Sequence, residues 1–233
     1  MTRHELKEQL QHDAFRDNVD TALDYFTTHR EQVIRWVAVI VVVAIGVGVA
    51  YWVYSHQKTS RDRALQAALG IADAPVMPQS DGFGLSFPTL EKKNAAATKA
   101  LSDVASKYAN TEQGDIARYY LAGLQASENK YAEAEANFKA VADSKTAVAG
   151  LAKVGLAELY AGEGKNDQAQ TILEKLVANP GPMVSRAQAT IMLANVLKSK
   201  DPQRAKQLVD SLKGPTETPA VTEAANQVLQ EIK

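Results

Sequence analysis

Gly162-Glu163-Gly164-Lys165 comes nearest to spelling a nucleotide site, because backbone amides of glycines beside a lysine are what cradle a phosphate. A phosphate loop also needs an earlier glycine, a Ser or Thr after the lysine, and a preceding strand. Leu159 stands where the earlier glycine is required, Asn166 follows the lysine, and no strand pattern leads in. The tetrapeptide therefore reads as a turn between helices. Tyr119-Tyr120 offers phenols for proton transfer or stacking, but on an apolar helix such a pair more often serves packing. The carboxylates Glu133, Glu135, Glu158 and Glu174 are scattered beside lysines, as on solvated helix surfaces. His4, His12, His29 and His56 all fall in the first quarter of the chain, and there is no cysteine. Disulfides, thiolate metal sites and cysteine nucleophiles are excluded, and either redox compartment remains open. With no nucleophile beside a base and no metal-ligand spacing, the chain is expected to be no enzyme and to use no cofactor.

The length of 233 residues suits one domain with accessory segments, or two small ones. Basic and acidic residues number 26 and 27, and residues 59–233 balance at 20 of each. Nothing in that balance attracts a polyanion, so nucleic acid is not an expected partner.

Trp36 to Tyr54 is a run of nineteen residues without a charge. As a helix it is roughly 28 Å long, close to the hydrocarbon thickness of a bilayer. Its Val and Ile would suit a strand, but strands are far shorter, and only a helix satisfies its own backbone in lipid. Trp36 stands at one end, with Tyr51, Trp52 and Tyr54 at the other, as in the aromatic belts of membrane spans. A cleaved signal peptide fits poorly, because some 35 residues precede the run and bulky aromatics follow it. A buried core helix fits poorly too, because no polar side interrupts the run. The expectation is a single transmembrane helix over residues 33–55. Orientation is a tie, with Arg16, Arg30 and Arg35 on one side against Lys58, Arg61 and Arg63 on the other. Ala44 with Gly48, and Gly46 with Ala50, have the spacing that lets membrane helices approach, so a homo-oligomer is one open partner class.

Ahead of the span, residues 1–32 form a tail with Leu6, Leu10, Phe15, Val19, Leu23 and Phe26 at helical spacing. Such a helix is expected to lie on the membrane or pack against itself, with docking to a partner as the alternative; its five basic and seven acidic residues through Arg35 weaken a lipid-binding role. After the span, residues 56–72 continue as a juxtamembrane helix, and residues 73–88, rich in Pro and Gly, form a linker.

Residues 89–233 repeat. Leu121-Ala122 leads to Ala134, Phe138 and Val141; Leu156-Ala157 leads to Ala169, Leu173 and Leu176; Leu193-Ala194 leads to Ala205, Val209 and Leu212. The alanines Ala134, Ala169 and Ala205 are 35 and 36 residues apart, and Ala97, Leu101 and Val104 repeat the pattern 37 residues upstream of the first. Small residues let the two helices of a hairpin approach while large ones fill the gaps beside them. Turns are expected at Glu128-Asn129-Lys130, Gly162 to Lys165 and Lys200-Asp201-Pro202. Breakers fall at Pro180-Gly181-Pro182 and Gly214-Pro215, and a capping helix at Thr222 to Ile232. The fold class is all-α: one transmembrane helix followed by a helical-hairpin repeat domain, an α-solenoid.

Leu156, Ala157, Tyr160, Gly164, Ala169 and Leu173, with Pro180 near the end, stand where the small and large positions of the tetratricopeptide repeat (TPR) fall, and residues 89–233 resemble that family. The first-helix tryptophan is missing and the spacing wanders by a residue or two. A helical tail, one span, a juxtamembrane helix and a TPR-like domain together resemble the ancillary SecYEG translocon subunit family of bacterial envelope proteins. That resemblance implies a bacterial inner-membrane protein with a cytoplasmic N-terminus and a periplasmic repeat domain. It implies translocon subunits, exported chains or periplasmic chaperones as protein partners. The TPR pattern implies a partner-binding groove lined from the first helix of each pair by Tyr119, Gly123, Val154, Glu158, Ile191, Asn195 and Lys198. With Tyr119, Val154 and Ile191 apolar, the expected ligand is an apolar segment rather than a terminal carboxylate. The alternative is a structural or oligomerisation scaffold of the envelope, in division or outer-membrane assembly.

Overall fold

The computed structural model of the protein describes residues 30–77, 84–212 and 218–232. The amphipathic tail read over residues 4–29, the middle of the Pro/Gly linker and the Gly214-Pro215 breaker lie outside the described residues. The rest is helical: α1 Arg30–Asp73, α2 Leu90–Lys107, α3 Glu112–Ser127, α4 Tyr131–Ala142, α5 Ala149–Gly162, α6 Asn166–Ala178, α7 Arg186–Leu197, α8 Pro202–Asp210 and α9 Pro219–Glu231. An isolated bridge between Val76 and Phe87 is the one β-type pairing among the described residues. The chain divides into two compact units, Met1–Thr59 and Ser60–Lys233.

What is described of the first unit is the leading part of α1. Its most apolar eighteen-residue window has mean hydropathy 2.6, and none of that window is buried in the structure. Trp36, Ile40, Val42, Ile45 and Trp52 are all exposed. By length and composition this helix is able to cross a membrane.

In the second unit the first core begins earlier than the repeat pattern does. Leu65 and Ala68, on the last turns of α1, are buried with Leu101 and Val104 of α2 and with Ala117 and Leu121 of α3. Gln113, at the start of α3, donates from Nε2 to Asp62 Oδ1 at 2.7 Å, so a polar tie accompanies the apolar one. Sequence grouping placed these residues with a juxtamembrane helix because a proline-rich stretch separates them from the repeats. That stretch is closed at its ends: Met77 N donates to Phe87 O at 2.8 Å, and Phe87 N to Pro75 O at 3.0 Å. The tail of α1 thus shares one small buried cluster with α2 and α3.

From α2 onward each helix packs on its neighbours in sequence, α3 also touches α5, and α9 covers α7 and α8. The hairpins α3/α4, α5/α6 and α7/α8 are therefore stacked pairs closed by a capping helix. Side-chain caps start several helices: Thr89 accepts from Lys92 N, Thr111 from Gly114 N, Ser185 from Gln188 N and Asp201 from Arg204 N.

The turns explain the differing spacing within the hairpins. Lys130 N reaches back to Gln125 O at 2.9 Å and Lys165 N to Tyr160 O at 2.8 Å, each closing over a residue at positive φ, Asn129 at 61° and Gly164 at 74°. These are matching left-handed C-terminal caps, 35 residues apart. The third turn has no such residue. Asp201 N bonds Leu197 O at 2.7 Å, four residues back instead of five. One residue fewer in this turn brings Ala205 one position earlier than its counterparts.

Ala134, Ala169 and Ala205 are each 0 % exposed, at the points where paired helices meet. Phe138, Leu173 and Val209 are buried beside them in one cluster that runs from α3 to α9. Between hairpins the approach is close at Gly155, where an added Cβ would lie 2.6 Å from Phe138 Cε1. Polar ties cross between hairpins. Tyr160 Oη donates to Glu135 Oε1 at 2.9 Å, and Arg204 Nη2 to Glu174 Oε1 at 2.7 Å. Buried Asp115 accepts from Thr146 Oγ1 at 2.8 Å, tying α3 to the loop before α5.

The bond from Lys139, then that from Tyr160, holds the Glu135 carboxyl below its ordinary pKa. A depressed carboxyl stabilises the fold above the unfolded carboxylate range and loses that contribution as pH falls through the folded value. Glu135→Gln is expected to lower Tm by about 1–3 °C at pH 7 and to match the parent at pH 3, measured by thermal melts across pH.

Gly114 gives a sharper test of close approach, because a Cβ there would lie 2.1 Å from the carbonyl oxygen of Tyr108. Gly123, also helical, has nothing within 4 Å of an added Cβ. Gly114→Ala should cost about 1–3 kcal/mol in urea denaturation. Gly123→Ala should add up to about 1 kcal/mol through helix propensity.

Candidate functional site

The second unit carries two adjoining grooves. The larger, about 830 Å³, lies between α2, α3 and α5, with Ala72 and the start of α4 at its edges. Its walls include Leu90, Ala97 and Leu101 of α2, Tyr119, Tyr120 and Gly123 of α3, Tyr131 and Phe138 of α4, and Gly155 and Leu159 of α5. Much of this apolar surface stays in contact with water: Leu90 is 60 % exposed, Tyr120 47 % and Tyr131 41 %. The smaller groove, about 400 Å³, lies between α5, α6 and α7 and is lined by Ala157, Ala161, Leu173, Met192, Asn195 and Val196 among others. Glu158 lines both.

The aromatic rings at the floor of the larger groove pack on one another. Tyr119 meets Phe138 edge-on at 5.8 Å between centroids and Tyr120 edge-on at 5.6 Å. Burial, with the Glu158 and Tyr120 charges behind it, pushes the Tyr119 phenol above its ordinary pKa, so it stays neutral. Glu158 is solvent-accessible at its tip, yet the apolar walls around it displace enough water to raise its carboxyl pKa.

Six of the seven groove positions read from sequence form two rows, one helical turn apart, and Lys198 lies a further turn on, at the C-terminal cap of α7. Gly123, Glu158 and Asn195 face the grooves and are exposed. In the other row only Tyr119 reaches a groove. Val154 is 7 % exposed inside the core, and Ile191 is half-buried against it. These two side chains fill space between helices and present little to a ligand. Lys198 is engaged with Glu231 of the capping helix. The α2 wall, with Leu90, Lys93 and Asn94, was absent from the sequence reading because it belongs to a second helix and the family pattern points to first helices. The signal available was the upstream Ala97, Leu101 and Val104 pattern, which places α2 against α3.

Among the described residues no group of three or more His, Asp or Glu is placed to hold a metal. Both grooves are open and largely apolar, and the larger is lined by packed aromatic rings.

A carboxyl with a raised pKa opposes folding once ionised, and the penalty appears as pH rises through the unfolded value. Glu158→Gln is accordingly expected to raise Tm by about 1–3 °C at pH 7 and to leave it unchanged at pH 3, opposite in sign to Glu135→Gln.

Comparison with known proteins places the grooves in a family context. Residues 24–180 match the tetratricopeptide repeat-like domain, a stretch that takes in α1 and the helices through α6. No curated protein and no solved structure matches the chain. The 35-residue turn geometry, the wholly buried repeat alanines and this match over most of the length agree, and the chain belongs to the family of tetratricopeptide repeat-like domains.

Proposed function

We propose that this protein is a membrane-anchored interaction module that holds segments of other proteins in the grooves of its repeat unit. The observation that carries the reading is the exposed apolar wall of Leu90, Tyr120 and Tyr131 around an 830 Å³ groove with an aromatic floor. Aromatic surface held rigid in a concave site binds at low entropic cost. Repeat domains of this family generally mediate protein–protein contact, which accords with the groove. The anchor is the leading part of α1, apolar on every side and flanked by Trp36 and Trp52.

The setting follows from the resemblance to the ancillary SecYEG translocon subunits. The N-terminus is cytoplasmic, the repeat unit is periplasmic at the bacterial inner membrane, and the bound segments belong to translocon subunits, exported chains or periplasmic chaperones. The protein thus assists translocation or the hand-over of chains emerging from it.

Two experiments test this. In intact spheroplasts, external protease should digest the repeat unit and spare an epitope at the N-terminus; the reverse pattern would overturn the topology. Gly123→Phe places a ring in the groove at a position with no atom within 4 Å of its Cβ. Translocon subunits recovered with the full chain from detergent-solubilised membranes should fall at least about fivefold in this variant, with Tm unchanged. Unchanged recovery would remove the groove from the function. Recovery of the protein's own copies alone would favour an envelope scaffold.

A further inference from the structure

Glu158 is the residue the interaction reading leaves unexplained. It projects where the two grooves meet and lines both. Several acidic side chains on and beside these helices are engaged: Glu128 with Lys130 at 2.8 Å, Glu163 with Lys165 at 3.1 Å, Glu135 with Lys139 at 2.5 Å and Glu174 with Arg204 at 2.7 Å. Among the described residues no lysine or arginine forms an ion pair with Glu158. The larger groove carries one other charge, Lys93 on the α2 wall, and the residues lining the smaller groove are otherwise uncharged.

A carboxylate partly enclosed by apolar walls, with no ion-pair partner among the described residues, is a cost to the empty fold, and partial burial raises its pKa in keeping with that cost. A ligand cation placed against it removes the cost, and covering the groove strengthens the attraction by excluding water. The helical positions equivalent to Glu158 are Gly123 and Asn195, both neutral, so the negative charge marks one point along the track.

Building on the interaction reading, we propose that the joined grooves take an apolar polypeptide segment carrying one lysine or arginine, whose charge pairs with Glu158 while flanking apolar residues lie along Tyr119, Tyr120 and Leu90 on one side and Met192 and Val196 on the other. The partner class is thus narrower than apolar chains in general. An apolar stretch interrupted by a basic residue is selected, and one interrupted by an acidic residue is rejected by like charge.

The test uses the full chain in lipid nanodiscs and three fluorescein-labelled twelve-residue peptides of Leu, Ala and Ser, alike except for a central Lys, norleucine or Glu. Binding is read by anisotropy at 0.1 M salt. The parent protein should bind the Lys peptide at least about tenfold more tightly than the Glu peptide, with norleucine between them. Glu158→Gln should bring the three affinities within about twofold, and Glu158→Lys should reverse the order. Gly123→Phe should weaken all three peptides alike. If the parent binds all three equally, or Glu158→Gln keeps the preference for Lys, the charge inference is wrong while the groove reading stands. If Gly123→Phe weakens none of them, or no peptide binds the parent, the groove reading falls and the charge inference falls with it.

Discussion

Close approach of helix backbones at small residues is the constraint from which the repeat unit follows. Where Ala134, Ala169 and Ala205 sit wholly buried, a larger side chain would push paired helices apart and open the space now filled by Phe138, Leu173 and Val209. At Gly155 even a methyl group would overlap the Phe138 ring. Interhelix spacing fixes the angle at which one hairpin sits on the next, and that in turn fixes the width of the groove between α2, α3 and α5. The same phenylalanine that demands a glycine across the interface supplies the edge-on support for Tyr119 in the groove floor. Packing and binding surface thus share a residue.

Electrostatics divides along the same line. Between hairpins, carboxylates have donors: Glu135 takes Tyr160 and Lys139, Glu174 takes Arg204 and Gln170, and each carboxyl is held below its ordinary pKa. In the groove, Glu158 has no such donor among the described residues, and burial pushes it the other way. Groups that hold a fold together are paired and lowered; a group that gives up stability in the empty fold is a candidate for a task that the fold alone does not require.

Much of this architecture is legible in the residues. The alanine period, the Asn129 and Gly164 turns and the apolar run from Trp36 to Tyr54 each carry a local physical requirement that leaves a mark in sequence. The shortened third turn is legible too, because Asp201 caps α8 without a left-handed residue before it. What the sequence hides is long-range. The pairing of Leu65 and Ala68 with α2 spans the Pro/Gly stretch, and no local pattern announces it. Residues one turn apart on a helix have opposite fates, so Val154 falls in the core while Glu158 lines the grooves. A period counted along the chain places a row of residues on a helix but leaves its facing uncertain by a turn. The α2 wall escaped because it comes from a different hairpin than the pattern names.

The central claim is that the groove between α2, α3 and α5 holds a segment of another protein in the cell. Site-specific photo-crosslinking tests it most directly, with the photoreactive residue at Tyr120 on the groove wall and at Glu223 on the far capping helix as a control. Adducts to translocon subunits, exported chains or periplasmic chaperones from position 120, absent from position 223 and lost when Gly123→Phe fills the groove, are the predicted result. Equal adducts from both positions, or adducts from position 120 that persist in the filled groove, would contradict the account.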